Sequence, residues 1–226
     1  MKSSGHFDLF RRHCTDSCHG IAVIDQFLHS NLNTRSDMYG GSSQARCKFP
    51  LDLLRAVSSA IGASKVAIRL EPTCMYQGTY GIDRVDTWSY LCSQIATEFS
   101  GASERLSYVH FIEPRQDRID ANQVIFNRGW SLPEVSNDLF RSILQRANIP
   151  CITCGGWDAS SAAGAVDGGW DAIGFARWFV SNPDLVARIR SGAELQLFDR
   201  SRFYGSWDGV REHGYTDYPT LKNTSQ

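Results

Sequence analysis

The sequence predicts an α/β fold, specifically an incomplete (β/α)8 barrel of the TIM type. Three observations predict it. Short apolar segments alternate with amphipathic helical segments. Two successive strand-to-helix junctions carry either a glycine pair or an arginine, and the chain has 226 residues, whereas a closed barrel typically takes about 250. Because right-handed crossovers connect such units, the strands should be adjacent and parallel.

Four short apolar runs are the predicted strands, and the segments between them have helical periodicity. An apolar face over residues 51–61 predicts a helix that Gly62 ends, and a second face covers residues 88–99. The cluster Ser136-Asn137-Asp138 predicts the start of a helix over 139–147, and residues 112–135 are predicted to be a long loop. The predicted strands are residues 66–70, 106–111, 151–154 and 172–175.

The last two strands end in unusual junctions. Gly155 and Gly156 follow the third strand, and Asp158 is placed to cap the next helix. Arg177 follows the fourth strand, and Pro183 is predicted at the first position of a further helix. Singly, a glycine pair indicates a tight turn and an arginine indicates a surface cation. In this order they predict the phosphate site that (β/α)8 barrels build after strands seven and eight.

Composition and charge exclude several classes of partner. Lys and Arg number 23 against 24 Asp and Glu, a formal net charge of -1, which argues against nucleic-acid and anionic-membrane partners. The N-terminal residues Met1–His6 show no apolar core of a signal peptide, and no run approaches membrane-spanning length. Seven cysteines, an odd number, fit reduced thiols. These features predict a cytoplasmic protein.

The cysteines also suggest metal sites, which their spacing argues against. Cys14, Cys18 and His19 form CxxxCH, one residue longer than a haem attachment motif, and no second ligand pair completes a zinc site. Cys151 and Cys154 are interpreted as small buried strand residues, so no metal is expected. Three tryptophans are likewise interpreted as core or helix-packing residues: Trp157, Trp170 and Trp178.

Several long motifs occur in unbroken order between about residues 19 and 219. Together they resemble the Old Yellow Enzyme family, and the wording is closest to fungal members. Members are FMN-dependent, NAD(P)H-oxidising ene-reductases on a single barrel. The motifs are IDQFL at 24–28, NTRSDMYGGS at 33–42, VAIRLEP at 66–72, YVHFIEPR at 108–115, the two junctions, and GYTDYP at 214–219.

The resemblance implies how the chain is organised. The matching segments belong to the C-terminal part of the family, where they supply about strands five to eight and their helices. Residues 1–23 are a divergent N-terminal segment, where the family has its fourth strand and active-site motif. Residues 24–219 are the C-terminal part of an FMN-binding barrel, and residues 220–226 are a polar tail.

The resemblance also assigns site residues, one group to the cofactor and one to the substrate. No catalytic residue is assigned, because the family's proton-donating tyrosine falls near Ile21 or Ala22, and neither can supply a proton. Glu71 stands where the family has a small serine, and Ala176 replaces a usual glycine. The cofactor residues are Arg69 at the pyrimidine edge of the flavin and Gly155, Gly156, Ala176 and Arg177 at the phosphate; the substrate residues are His19, Tyr76 and Tyr204.

Two functions follow from the resemblance. The first is an FMN-dependent oxidoreductase that passes hydride from NAD(P)H to the β-carbon of a small-molecule enone or enal. The second is a catalytically inactive derivative, either a truncated paralogue or the product of an incorrectly predicted gene, with at most a vestigial phosphate site. A barrel stopped halfway leaves exposed strand edges, which predict self-association.

Overall fold

The computed structural model describes residues 7–8, 23–101, 104–203 and 209–221. Within these ranges five strands form one sheet, in the order β1-β2-β3-β4-β5, and every neighbouring pair is parallel. The four predicted strands are therefore confirmed as adjacent and parallel. The strands are β1 (Phe7–Asp8), β2 (Val66–Leu70), β3 (Tyr108–Ile112), β4 (Cys151–Cys154) and β5 (Ala172–Gly174).

The helices between the strands begin and end largely where local signals place them. Gly62, with φ of 90°, ends the long second helix, and Asp158 caps the seventh by accepting from the backbone of Ser160 and Ser161. The helices are α1 (Val23–Leu28), α2 (Ser43–Ile61), α3 (Arg84–Glu98), α4 (Gln116–Ala121), α5 (Gln123–Gly129), α6 (Asp138–Gln145), α7 (Ala159–Asp167), α8 (Arg177–Ser181) and α9 (Leu185–Ser191).

Three predicted boundaries are wrong. Residues 112–135 are not one loop, because α4 and α5 lie within them; neither helix has a side-chain cap, so the local signal for them is weak. The strand predicted over residues 106–111 is β3, and it begins at Tyr108 rather than at residue 106, because its ladder with β2 begins at Tyr108. Pro183 is not a first helical residue. The side-chain amide Nδ2 of Asn182 donates to the backbone carbonyl of Gln196 at 3.0 Å, and this contact helps to hold the Asn182-Pro183 pair in a turn before α9.

The core lies between the sheet and its helices. Along β3, Val109 and Phe111 are buried against helix residues, whereas the alternate residues between them are partly exposed. This two-residue alternation gives the sheet one face under the helices and one face toward the inside of the barrel. Within the described ranges, no helix is long and apolar enough to cross a membrane.

Candidate functional site

A cleft of about 740 Å³ opens at the carboxyl ends of β2 to β5. Its volume is that of a typical small-ligand site. The carboxyl ends of parallel strands meet at one edge of the sheet, so residues far apart in sequence converge there. The strand-end residues that line it are Arg69, Glu71, His110, Ile112, Glu113, Cys154, Gly155, Gly156, Gly174 and Phe175.

The predicted phosphate residues converge on this cleft. Gly155 and Gly156 have φ of 95° and 78°, a region that favours glycine. A Cβ at Gly155 would lie 3.4 Å from the carbonyl oxygen of Glu113, whereas one at Gly156 would meet nothing within 4 Å. Arg177 is the first residue of α8, and its guanidinium carbon lies 5.1 Å from the centre of the Phe198 ring. The glycine turn and the arginine therefore line the same wall.

Ala176 is compatible with this wall. Its φ is -118°, a value that any residue adopts, so alanine in place of glycine carries no backbone strain. It lines the cleft directly before Arg177. The substitution leaves the backbone path into α8 intact.

Arg69 and His110 lie side by side on β2 and β3, where they are register partners. The Nη2 atom of Arg69 is 3.5 Å from Sγ of Cys154. Burial, and then the positive charge of Arg69, lowers the pKa of His110 to about 4. Its Nε2 is buried and has no hydrogen-bond partner among the described residues. A neutral imidazole therefore presents a polar atom beside a cation in the cleft.

Tyr76 also lies in the cleft, in a single 3₁₀ turn over Tyr76–Gly78. Nη2 of Arg118 donates to its hydroxyl at 3.1 Å, and the guanidinium carbon lies 4.7 Å from the ring centre. Arg118 belongs to α4, inside the segment predicted to be a loop. The other two predicted substrate residues, His19 and Tyr204, lie outside the described residues.

Sequence reasoning missed several cleft residues. Cys154 is not a buried strand residue, because it is partly exposed and lines the cleft. Of the two cysteines in β4, Cys151 is the buried one, and burial raises the pKa of its thiol to about 12. Trp157 and Trp178 also line the cleft rather than packing only in the core. The two-residue period of the strands identifies His110 and Cys154 once the inward face is known. Trp157 directly follows the Gly155–Gly156 turn, and Trp178 is the second residue of the five-residue helix α8, so neither lies in a segment long enough to show a period.

The described cysteines and acidic groups do not form a metal centre. No cluster of three or more His, Cys, Asp or Glu side chains within the described ranges is placed to hold a metal ion. The cysteines that the structure describes form no disulfide bonds: Cys47, Cys74, Cys92, Cys151 and Cys154.

Comparison with known proteins gives consistent matches. The profile of the NADH:flavin oxidoreductase / NADH oxidase family matches residues 17–196. The chain is 42% identical over 201 residues to flavin oxidoreductase hxnT of Emericella nidulans, covering 87% of this chain and 51% of that protein. It is 36% identical over 204 residues to 12-oxophytodienoate reductase 7 of Oryza sativa subsp. japonica, covering 90% and 50%.

Solved structures show the same similarity as the sequence comparisons. Morphinone reductase superposes with a TM-score of 0.69 at 33% identity, over 90% of this chain and 49% of that one. The chain thus spans about half the length of the relatives it matches. Its parallel sheet, its cleft and the profile match over most of its length lead to one assignment. This chain belongs to the NADH:flavin oxidoreductase / NADH oxidase family, the Old Yellow Enzyme family that its motifs indicate.

Proposed function

We propose that this chain forms the phosphate-binding wall of an FMN site in an NAD(P)H-dependent ene-reductase. One observation carries the proposal: Gly155, Gly156 and Arg177 line one cleft at the carboxyl ends of β4 and β5. Backbone amides of a glycine turn together with a guanidinium fork suit a phosphate dianion. That arrangement after the last two strands is the usual phosphate site of a (β/α)8 barrel.

The residues present fit FMN. A Cβ at Gly156 would occupy open cleft space, so its absence leaves room for a phosphate to approach the backbone. Arg69 supplies a second cation in the same cleft, and its neighbour His110 has a buried Nε2 without a hydrogen-bond partner among the described residues. FMN, when bound, supplies hydride transfer from NAD(P)H to an activated alkene. Gly155, Gly156 and Arg177 would bind and orient the cofactor through its phosphate, and Arg69 would supply a positive charge to the flavin ring.

The substrate assignment is part of the same proposal. Family membership supports a small-molecule enone or enal as substrate. Tyr76, held by Arg118, would shape the substrate side, together with Tyr204 and His19. Five cysteines among the described residues form no disulfide bond, which suits a reducing compartment, so we also propose a cytoplasmic location.

Replacing Arg177 with alanine is expected to weaken FMN binding about ten- to hundredfold, because a charge-assisted phosphate contact contributes roughly 1.5 to 3 kcal/mol. Riboflavin, which has the same ring and no phosphate, should bind both proteins equally. Flavin fluorescence titration measures both affinities. Arg190→Ala is the matched control, since Arg190 is exposed on α9 outside the cleft. Equal affinity of the unaltered chain for FMN and riboflavin would contradict the proposal.

A second candidate, an inactive derivative, rests on the resemblance: the family's proton-donating tyrosine falls near Ile21 or Ala22, and neither residue can supply a proton. Within the described residues β1 pairs only with β2 and β5 only with β4, so β1 and β5 are the edge strands of the described sheet, and edge strands favour pairing with another copy. We expect the isolated chain to bind FMN weakly, to self-associate and to turn over no enone. Light scattering and NADPH oxidation with 2-cyclohexenone measure this. A compact monomer that reduces the enone would contradict it.

A further inference from the structure

A hydrogen-bonded network lies behind the Gly155–Gly156 turn, and we call it the Thr153 network after its central member. The hydroxyl of Thr153 donates to Oε1 of Glu113 at 2.8 Å, and Nε1 of Trp157 donates to the same hydroxyl at 3.2 Å. The hydroxyl thus both donates and accepts, and the Thr153 side chain is completely buried. Its partners are Glu113, the residue directly after β3, and Trp157, the residue directly after the turn, so the hydrogen bonds connect residues on both sides of the two glycines.

The network continues to both of its flanks. The backbone amide of Glu113 donates to the carbonyl of Cys154 at 2.8 Å, which joins the end of β3 to the residue before the turn. Nε1 of Trp178 donates to the carbonyl of Trp157 at 3.2 Å. Trp178 directly follows Arg177 in α8. The same set of contacts therefore ties the glycine turn to the helix that carries the cationic phosphate residue.

Such a network has a physical task in this position. Two consecutive glycines lose more backbone entropy on ordering than any other pair, so the turn needs outside contacts to keep one shape. Burial raises the pKa of Glu113, with hydrogen bonds from Thr153 and Asn137 acting in the opposite direction. A carboxyl that is half-buried at the edge of the cleft carries a desolvation cost, and a neutral side chain would fill the space at less cost. We therefore interpret the Glu113 carboxyl as the acceptor that holds the Thr153 hydroxyl in place.

We propose that Glu113, Thr153 and Trp157 are positioning residues that hold the Gly155–Gly156 turn and the start of α8 at the spacing that a phosphate monoester requires. This inference rests on the proposed function. Ligand preorganisation is the mechanism: a turn fixed before binding does not lose that entropy on binding. The network should therefore affect the binding of FMN, whose phosphate would contact the turn, and leave the binding of riboflavin unchanged.

The test is the ratio of riboflavin to FMN dissociation constants in Thr153→Val, which keeps the side-chain shape and removes the hydroxyl. Loss of both hydrogen bonds of the hydroxyl should lower the ratio about three- to tenfold, through weaker FMN binding alone. Thr153→Ser should restore the ratio, because it returns the hydroxyl. Thr87→Val is the matched control: Thr87 is equally buried and hydrogen-bonded, to Ser43 and Arg46, and does not line the cleft.

A second variant keeps the inference testable if Thr153→Val does not fold. Trp157→Phe keeps an aromatic ring but removes the Nε1 donor and part of the indole, so it should lower the ratio in the same direction. If Thr153→Val and Trp157→Phe keep the unaltered ratio while the unaltered chain prefers FMN, the positioning role is overturned and the phosphate site stands. If the unaltered chain shows no preference for FMN, both the inference and the proposed function are overturned.

Discussion

Replacing Arg84 with methionine is expected to lower the free energy of unfolding by about 3 to 5 kcal/mol. Arg84 is fully buried on α3, and burial lowers its pKa to about 10, so it remains charged at neutral pH. Its guanidinium donates to backbone carbonyls of the loop after β2 and lies 5.5 Å from the Phe126 ring centre. The carbonyls belong to Gly81 at 3.0 Å, Pro72 at 2.9 Å, Cys74 at 2.8 Å, and Thr79.

The size of this effect follows from what methionine leaves behind. The variant fills similar volume, yet it strands several buried carbonyls without donors, and each costs about 1 to 3 kcal/mol. The loop also carries Tyr76, so the cleft should lose order with it. Urea denaturation measures the change. Arg55→Met is the control: Arg55 is exposed and pairs with Glu98 and Asp52, and it should cost at most about 1 kcal/mol. Equal effects in the two variants would refute the role of Arg84.

His110→Gln is expected to remove about 3 kcal/mol of acid sensitivity from the folded protein. The folded state keeps His110 neutral down to about pH 4, whereas the unfolded chain takes up the proton near the ordinary value of 6.5. Between these values the unfolded state binds more protons, so acidification favours unfolding. The stability is fully present above pH 6.5 and is lost as the pH falls toward 4.

The measurement is the free energy of unfolding against pH for both proteins. The unaltered chain should lose more stability than His110→Gln across the window from pH 6.5 to 4, and the two curves should run parallel above it. His213→Gln, at an exposed histidine, should follow the unaltered curve. Parallel curves through the whole window would show that His110 is hydrated in the folded state, contrary to its buried Nε2.

Local signals in the sequence determined most of the architecture. The strands and the larger helices were predictable because their apolar periods and terminal residues act within a few positions; Gly62 and Asp158 end and begin helices by their own backbone and side-chain chemistry. The order of the glycine pair and Arg177 predicted that these residues meet in one cleft, because the topology of parallel strands brings consecutive junctions to one edge. The uncapped helices α4 and α5 carried no such signal.

Only the tertiary structure decided which polar residues are buried and what they hold. Arg84 lies on an amphipathic helix and Thr153 inside an apolar strand, so the period of each element gives the face but not the partner. Their partners are loop carbonyls and Glu113, separated in sequence by up to 40 residues. The low pKa of His110 likewise depends on Arg69 of the neighbouring strand. Burial and hydrogen bonding between distant segments are properties of packing, and a local pattern cannot encode them.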